Sequence, residues 1–190
     1  MTRVIAGQAG GRRLAVPAGA GTRPTSDRTR EALFSAVESM RGALVGARVL
    51  DLYTGSGAVG LESLSRGAAH ALLIECDPMA LRALHANVRA LGLPGAEVAA
   101  EKVERAVAGP PGAPAYDVVF ADPPYSLGDG AVEAVLRGLV DHGWLAPAAV
   151  VVVERSSRGA PLRWPEGLTA VRDRRYGEGT LWYGRPALSG

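Results

Sequence analysis

Two acid-bearing segments stand out by residue type and spacing. The first is Asp51-Leu-Tyr-Thr-Gly55-Ser-Gly57-Ala-Val-Gly60, in which Gly55 to Gly60 follows the pattern G-x-G-x-x-G. The second is Asp122-Pro123-Pro124-Tyr125, placed directly after an apolar run. A glycine loop between a strand and a helix lets the backbone approach a ligand closely. An acid at the end of the next strand, here Glu75, is placed to accept from ribose hydroxyls. Such a loop alone would suit NAD. Asp51 argues against that, because a carboxylate just before the glycines repels a pyrophosphate and attracts a cation. S-adenosylmethionine, with an ammonium and a sulfonium, meets that requirement. The candidate cofactor residues are Asp51, Tyr53, Gly55, Gly57, Glu75 and Cys76, with Cys76 a small packing residue beside the acid.

The candidate catalytic residues are Asp122, Pro123, Pro124 and Tyr125. Two prolines stiffen the backbone and remove two amide donors, leaving the Asp122 carboxylate and the Pro123 carbonyl as acceptors. An exocyclic amine on a nucleic-acid base is a poor nucleophile, since its lone pair is delocalised into the ring. Two acceptors that take its N–H hydrogens favour a tetrahedral nitrogen and stabilise the charge growing on it. Asp122 can then take the proton, and Tyr125 offers a ring on which an unstacked base can lie. A proline-stiffened turn with a tyrosine lid would explain the tetrapeptide alone. It does not explain why both segments should meet in one crevice.

Alternating strand and helix signals bring them there. Strands are expected over residues 48–52, 71–75, 97–100, 116–121 and 149–154, with helices over 58–66, 79–90 and 131–139. Asp77-Pro78 supplies an N-cap and an N1 proline for a helix whose Leu81, Leu84, Val88 and Leu91 form one stripe. Repeated βα units imply a mostly parallel sheet with helices on both faces, and ligands on such sheets bind at the carboxyl ends of the strands. Residues 3–6 and 12–16 read as a small hairpin, and residues 169–176 and 180–185 as a terminal one. A helix capped by Thr25 or Ser26 separates the first hairpin from the alternating region.

The net charge of +2 hides a pattern. Residues 1–30 carry six arginines (3, 12, 13, 23, 28 and 30) against Asp27 alone. Residues 155–190 carry seven (155, 158, 163, 172, 174, 175 and 185) against three acids, while residues 31–154 hold eight basic and fifteen acidic side chains. Basic ends about an acidic centre suit a phosphate-binding periphery around a cationic ligand. Twenty arginines to one lysine also suggest a GC-rich genome. One cysteine excludes an internal disulfide, the three histidines show no ligand spacing, and no metal is expected. No stretch reads as a signal peptide or a membrane span, so a cytoplasmic protein is expected.

These residues also carry a resemblance. The two acid segments together resemble those of amino-methyltransferases acting on bases or on glutamine side chains. Val4-Ile-Ala-Gly7, Gly11-Arg-Arg-Leu14, Arg23-Pro-Thr-Ser-Asp-Arg28, Glu31-Ala-Leu-Phe34, Gly60-Leu-Glu-Ser-Leu-Ser-Arg-Gly67 and Val153-Glu154 are similar to the D-type bacterial 16S rRNA guanine-N2 methyltransferases, which act on the small ribosomal subunit. The resemblance implies a Rossmann-like seven-stranded sheet and a monomer that methylates N2 of one loop guanine, within an assembling 30S subunit. It implies an RNA-contacting extension at residues 1–24, a methyltransferase domain at residues 25–190, and RNA contacts through Arg3, Arg12, Arg13, Arg23 and Arg28. Lys102 stands where the family has an acid near the adenine. Alternatives are an adenine-N6 or glutamine methyltransferase, a NAD-linked oxidoreductase, and a non-catalytic RNA-binding protein on the same scaffold.

Overall fold

Strands that are apolar on both faces need cover on both sides, and here helices supply it. The computed structural model describes residues 1–18 and 26–188. In chain order the elements are α1 (Asp27–Arg41), β1 (Arg48–Leu52), α2 (Ala58–Ser65), β2 (His70–Glu75), α3 (Pro78–Leu91), β3 (Ala96–Ala100), α4 (Val103–Ala106), β4 (Tyr116–Ala121), α5 (Asp129–Asp141), β5 (Leu145–Ser156), β6 (Leu168–Tyr176) and β7 (Gly179–Pro186). The strands form one seven-stranded sheet in the order β3-β2-β1-β4-β5-β7-β6. Strands β1 to β5 run parallel, and β7 inserts antiparallel between β5 and β6. This is the Rossmann-like methyltransferase arrangement.

Two apolar layers follow from strand alternation. On one face Val49, Phe120, Val150 and Val152 pack with Leu33, Phe34 and Val37 of α1, Leu61 and Leu64 of α2 and Leu84 of α3. On the other, Leu50, Leu52, Val119 and Val151 pack with Val103 of α4 and Val132, Leu136 and Leu139 of α5. Local signals set the helix ends as expected: the Ser26 hydroxyl accepts from Thr29 N–H, and Asp77 caps α3 by accepting from Ala80 N–H, with Pro78 at its first turn.

The amino-terminal hairpin is reduced. Its ladder is one antiparallel bridge, Arg3 to Arg13. The neighbouring amides are engaged elsewhere: Ile5 and Ala6 donate to the Glu62 carboxylate of α2 at 2.7 and 3.0 Å, and Ala9 donates to Ser65 Oγ at 2.8 Å. Ala15 N–H donates to Asn87 Oδ1 of α3 at 2.7 Å, and Val4 and Leu14 are buried. The segment is stitched to two helices as well as to itself, where Val4 N–H donates to the Arg12 carbonyl at 2.9 Å, Gly11 N–H to the Val4 carbonyl at 2.8 Å and Leu14 N–H to the Thr2 carbonyl at 2.9 Å.

Two arginines counted among the basic ends are not surface charges. Arg30 is fully buried, its guanidinium bonded to Asp27 at 2.7 Å and 3.7 Å from the Glu62 carboxylate. Arg155 is 8% exposed. Their charge serves the fold, so fewer of the terminal arginines face solvent than composition suggests.

Candidate active site

The strand order reverses between β1 and β4, so the loops leaving these neighbours open the crevice where ligands of this fold bind. Register brings the two acid segments together. Leu52 pairs with Ala121, and the Asp122 amide donates to the Leu52 carbonyl at 3.3 Å.

Asp51 points into this region from β1 and is 1% exposed. Its Oδ2 accepts from Gly60 N–H at 2.9 Å and from the Thr54 hydroxyl. Burial, with a smaller contribution from Glu75, pushes its pKa from 3.8 up to about 7; the two neutral donors pull it down only in part. Among the described residues Asp51 has no ion-pair partner. A buried carboxylate in that condition is a site for a cationic group.

The glycine loop leaves room for one. Gly55 adopts φ +60° with no atom within 4 Å of where a Cβ would stand, whereas a Cβ on Gly60 would meet Leu73 at 2.0 Å. Gly55 is thus open to a ligand and Gly60 seals helix to sheet. Glu75 closes the loop's far side: it accepts from Gly55 N–H at 2.8 Å, Cys76 N–H at 2.9 Å and Asp77 N–H at 3.0 Å. Three amides hold this carboxylate fixed while its oxygens retain capacity for hydroxyl donors. Tyr53 takes the unusual φ of 57° and donates its hydroxyl to Glu104 at 3.1 Å.

Asp122 is half-buried and Pro123 buried, while Pro124 and Tyr125 are exposed. The Asp122 carboxyl is raised well above the ordinary carboxylate range, by burial first and then by the carboxylates of Glu154 and Asp51; Arg155 pulls it back. The loop is held by Arg155, which donates to the Pro124 carbonyl at 3.2 Å and the Leu127 carbonyl at 2.7 Å, and reaches Asp129 at 3.4 Å. Leu127 N–H also donates to Pro124 O at 2.9 Å, so that carbonyl is committed to the turn.

Residues 2–185 match a family model described as Conserved hypothetical protein 95. Over 152 residues the chain is 42% identical to the ribosomal RNA small subunit methyltransferase D of Escherichia coli strain K12, spanning 80% of this chain and 73% of that protein. This chain belongs to the small subunit methyltransferase D family. The Haemophilus influenzae member is 33% identical over 177 residues, spanning 92% of this chain and 89% of that one. The solved structure of Escherichia coli yhhF superposes with a TM-score of 0.83 at 36% identity, covering 97% of each chain. Family membership makes the protein a methyltransferase.

Within this family fold the residues singled out by sequence fall into groups. Asp51, Gly55, Gly57 and Glu75 come together about the loop after β1, with Tyr53 at its edge and Cys76 exposed beyond Glu75. Asp122 to Tyr125 form the adjoining wall. Arg3 and Arg12 are engaged: Arg3 pairs with Asp27 at 3.1 Å and remains 60% exposed, and Arg12 donates to the Ala90 carbonyl at 2.6 Å. Arg13 and Arg28 are not brought to the acid cluster, and Arg23 lies outside the described residues. Lys102 is exposed at the start of α4, where Glu104 supplies the acid that meets Tyr53.

Arg155 and Gly179 are contributors not apparent from sequence, and Glu154 enters there only through the family resemblance. Arg155 is one of many terminal arginines there, and its place after five buried strand residues is the available signal. Glu154 lies on β5, in register with Leu181, beside Asp122. Gly179 opens β7 against them: a Cβ there would stand 2.6 Å from Glu154 Oε1 and 3.5 Å from the Tyr125 hydroxyl. Among the described residues, no group of three or more His, Cys, Asp and Glu could hold a metal ion, and no helix is long and apolar enough to cross a membrane.

Proposed function

We propose that this protein transfers a methyl group from S-adenosylmethionine to the exocyclic N2 amine of one guanine in 16S rRNA. The observation that carries this reading is the pair of destabilised carboxyls, Asp51 and Asp122, side by side at the strand-order switch. The first lacks a basic partner and calls for a cation. The second faces the same crevice from a rigid loop and has a raised proton affinity.

Asp51 and Glu75 would hold the cofactor, Asp51 at its cationic aminoacyl end and Glu75 at the ribose, with Gly55 and Gly57 admitting it to the backbone. Bound there, S-adenosylmethionine supplies an electrophilic methyl group on a sulfonium. Asp122 and the Pro123 carbonyl accept the two N–H hydrogens of the base amine, which localises its lone pair for attack. A carboxyl with a raised pKa is suited to take the surplus proton near neutral pH and release it to solvent. Tyr125, exposed at the rim, stacks on the extruded base. Tyr53 and Glu104 wall the cofactor side, where the adenine would rest on backbone groups, since Lys102 offers no acceptor.

The RNA and the guanine are carried over from the relatives' names and from the resemblance. Residues 1–24, with Arg3, Arg12, Arg13 and Arg23, are proposed as an RNA-contacting extension of a methyltransferase domain at residues 25–190, whose Arg28 joins them in the RNA contact. A monomer acting in the cytoplasm on an assembling 30S subunit completes the reading.

The direct test is transfer of labelled methyl to small subunits from cells lacking the native enzyme, with already modified subunits as control. Label recovered as N2-methylguanosine from the unmodified subunits alone is the expected result. Label in another nucleoside would keep the chemistry and replace the target. No label on nucleic acid would shift the search to protein glutamines.

A further inference from the structure

A second basic feature lies away from the amino-terminal extension. Between α1 and the β6–β7 pair runs a groove of about 440 Å³, lined by Arg28, Ser35 and Ser39 from α1, Arg172, Arg174 and Tyr176 from β6, and Tyr183 from β7. Its lining holds three arginines and no acid. Asp173 and Arg175 alternate with the lining residues along β6 and belong to the opposite face.

Tyr183 gives the groove an independent mark of a ligand. It is 1% exposed, and among the described residues its hydroxyl has no hydrogen-bond partner. The Arg172 guanidinium lies 5.2 Å from its ring centre. A buried donor left unsatisfied costs stability, so its retention beside three guanidinium groups suggests an acceptor that arrives from outside. An anionic oxygen satisfies both the hydroxyl and the arginines.

The groove's upper end abuts the active site. Tyr176 pairs with Gly179, and Gly179 pairs with Ser156, one residue beyond Arg155. Gly179 is also the residue against which Glu154 and Tyr125 stand. A nucleic-acid strand bound in the groove by its backbone would therefore arrive at Tyr125 and Asp122.

We propose that this groove binds the phosphodiester backbone of the substrate RNA, with Arg172, Arg174 and the Tyr183 hydroxyl as its phosphate ligands. The proposal rests on the RNA reading above. It adds a site formed by the carboxy-terminal hairpin, separate from the amino-terminal arginines except for the shared Arg28.

The test measures equilibrium binding of unmodified small subunits across a salt series, with methyl transfer followed in parallel. R172Q/R174Q keeps the side-chain stems and removes two charges. R137Q/R163Q removes two charges from the opposite face, where both arginines pair with Glu133. The groove variant is expected to weaken binding roughly tenfold and to lower the salt slope by about 1.4 to 1.8, at roughly 0.7–0.9 for each phosphate no longer neutralised. Its KM for subunits should rise by a similar factor, and the control variant should bind as wild type does. Y183F, which removes a hydroxyl with no partner among the described residues, should weaken binding a few-fold without lowering Tm. An unchanged salt slope in R172Q/R174Q, or an equal loss in R137Q/R163Q, would overturn the proposal. Groove-dependent binding without any methyl transfer would leave the groove standing and overturn the functional reading instead.

Discussion

The two acid loops that share the crevice are held in different ways. Asp51 is fixed from within its own segment, by Thr54 and Gly60, three and nine residues along the chain. The Asp122 loop is fixed by Arg155, 31 residues from Pro124. The Gly55 loop is therefore a local device, carried by a strand, a turn and a helix. The Asp122 loop depends on β5 being in place beside β4. Their electrostatics differ too. Among the described residues no cationic side chain pairs with Asp51, whereas Asp122 is tempered by Arg155 and opposed by Glu154.

The largest effect is expected from Asp122→Ala. It should lower kcat by roughly a hundred- to ten-thousandfold, while S-adenosylmethionine binding by calorimetry stays near wild type. Near-normal turnover would mean that the two loops do not divide the labour in this way.

Asp51→Asn breaks the other half. Losing the charge should weaken cofactor binding roughly ten- to a hundredfold. Stability should move the opposite way. The unfolded chain releases this proton near 3.8 and the fold near 7, so the unliganded protein loses stability as pH rises between those values. The variant should thus melt higher than wild type at about pH 8, by up to roughly 4 kcal/mol of stability at 1.36 kcal/mol per unit, with the gap closing below about pH 4. A lower melting temperature at alkaline pH would show that Asp51 is not a destabilised charge.

Arg155→Ala separates the loops by their anchoring. It leaves the Leu127 carbonyl without its donor and takes one of two donors from the Pro124 carbonyl, and should destabilise the protein by about 2 kcal/mol, with kcat falling roughly tenfold and cofactor affinity unchanged. Arg155→Lys should recover only part of the loss, because one ammonium cannot span Pro124, Leu127 and Asp129 as a guanidinium fork does. Equal damage to cofactor binding would show that the loops are coupled.

The smallest effect is a shift in a pH profile. Asp122 must be ionised to accept, so the rate should fall on the acid side, at a pH above the ordinary carboxylate range. Glu154→Gln removes the second largest cause of that elevation and should move the acid limb to lower pH. An unmoved limb would assign it to another group.

Much of this architecture is legible in the chain because its causes are short-range. Strands β1 and β4 begin and end where the apolar runs do, and the α3 cap is written in Asp77-Pro78. The cofactor loop shares this property, since strand, glycines and acid are consecutive. The amino-terminal hairpin is less faithful to its pattern, because the amides of Ile5 and Ala6 are taken by Glu62, more than fifty residues away. The arginines are the least legible. Composition counts charge and cannot tell a buried Arg30 or Arg155 from Arg174 on an exposed edge strand.

By itself, then, the sequence determined the alternating elements, the glycine turn and the presence of two acids at strand ends, all consequences of neighbours along the chain. Only the tertiary structure decided which charges remain free to act. Desolvation and pairing depend on what packs against a group, and for Asp51, Asp122, Arg155 and Tyr183 those neighbours come together only when the sheet is assembled.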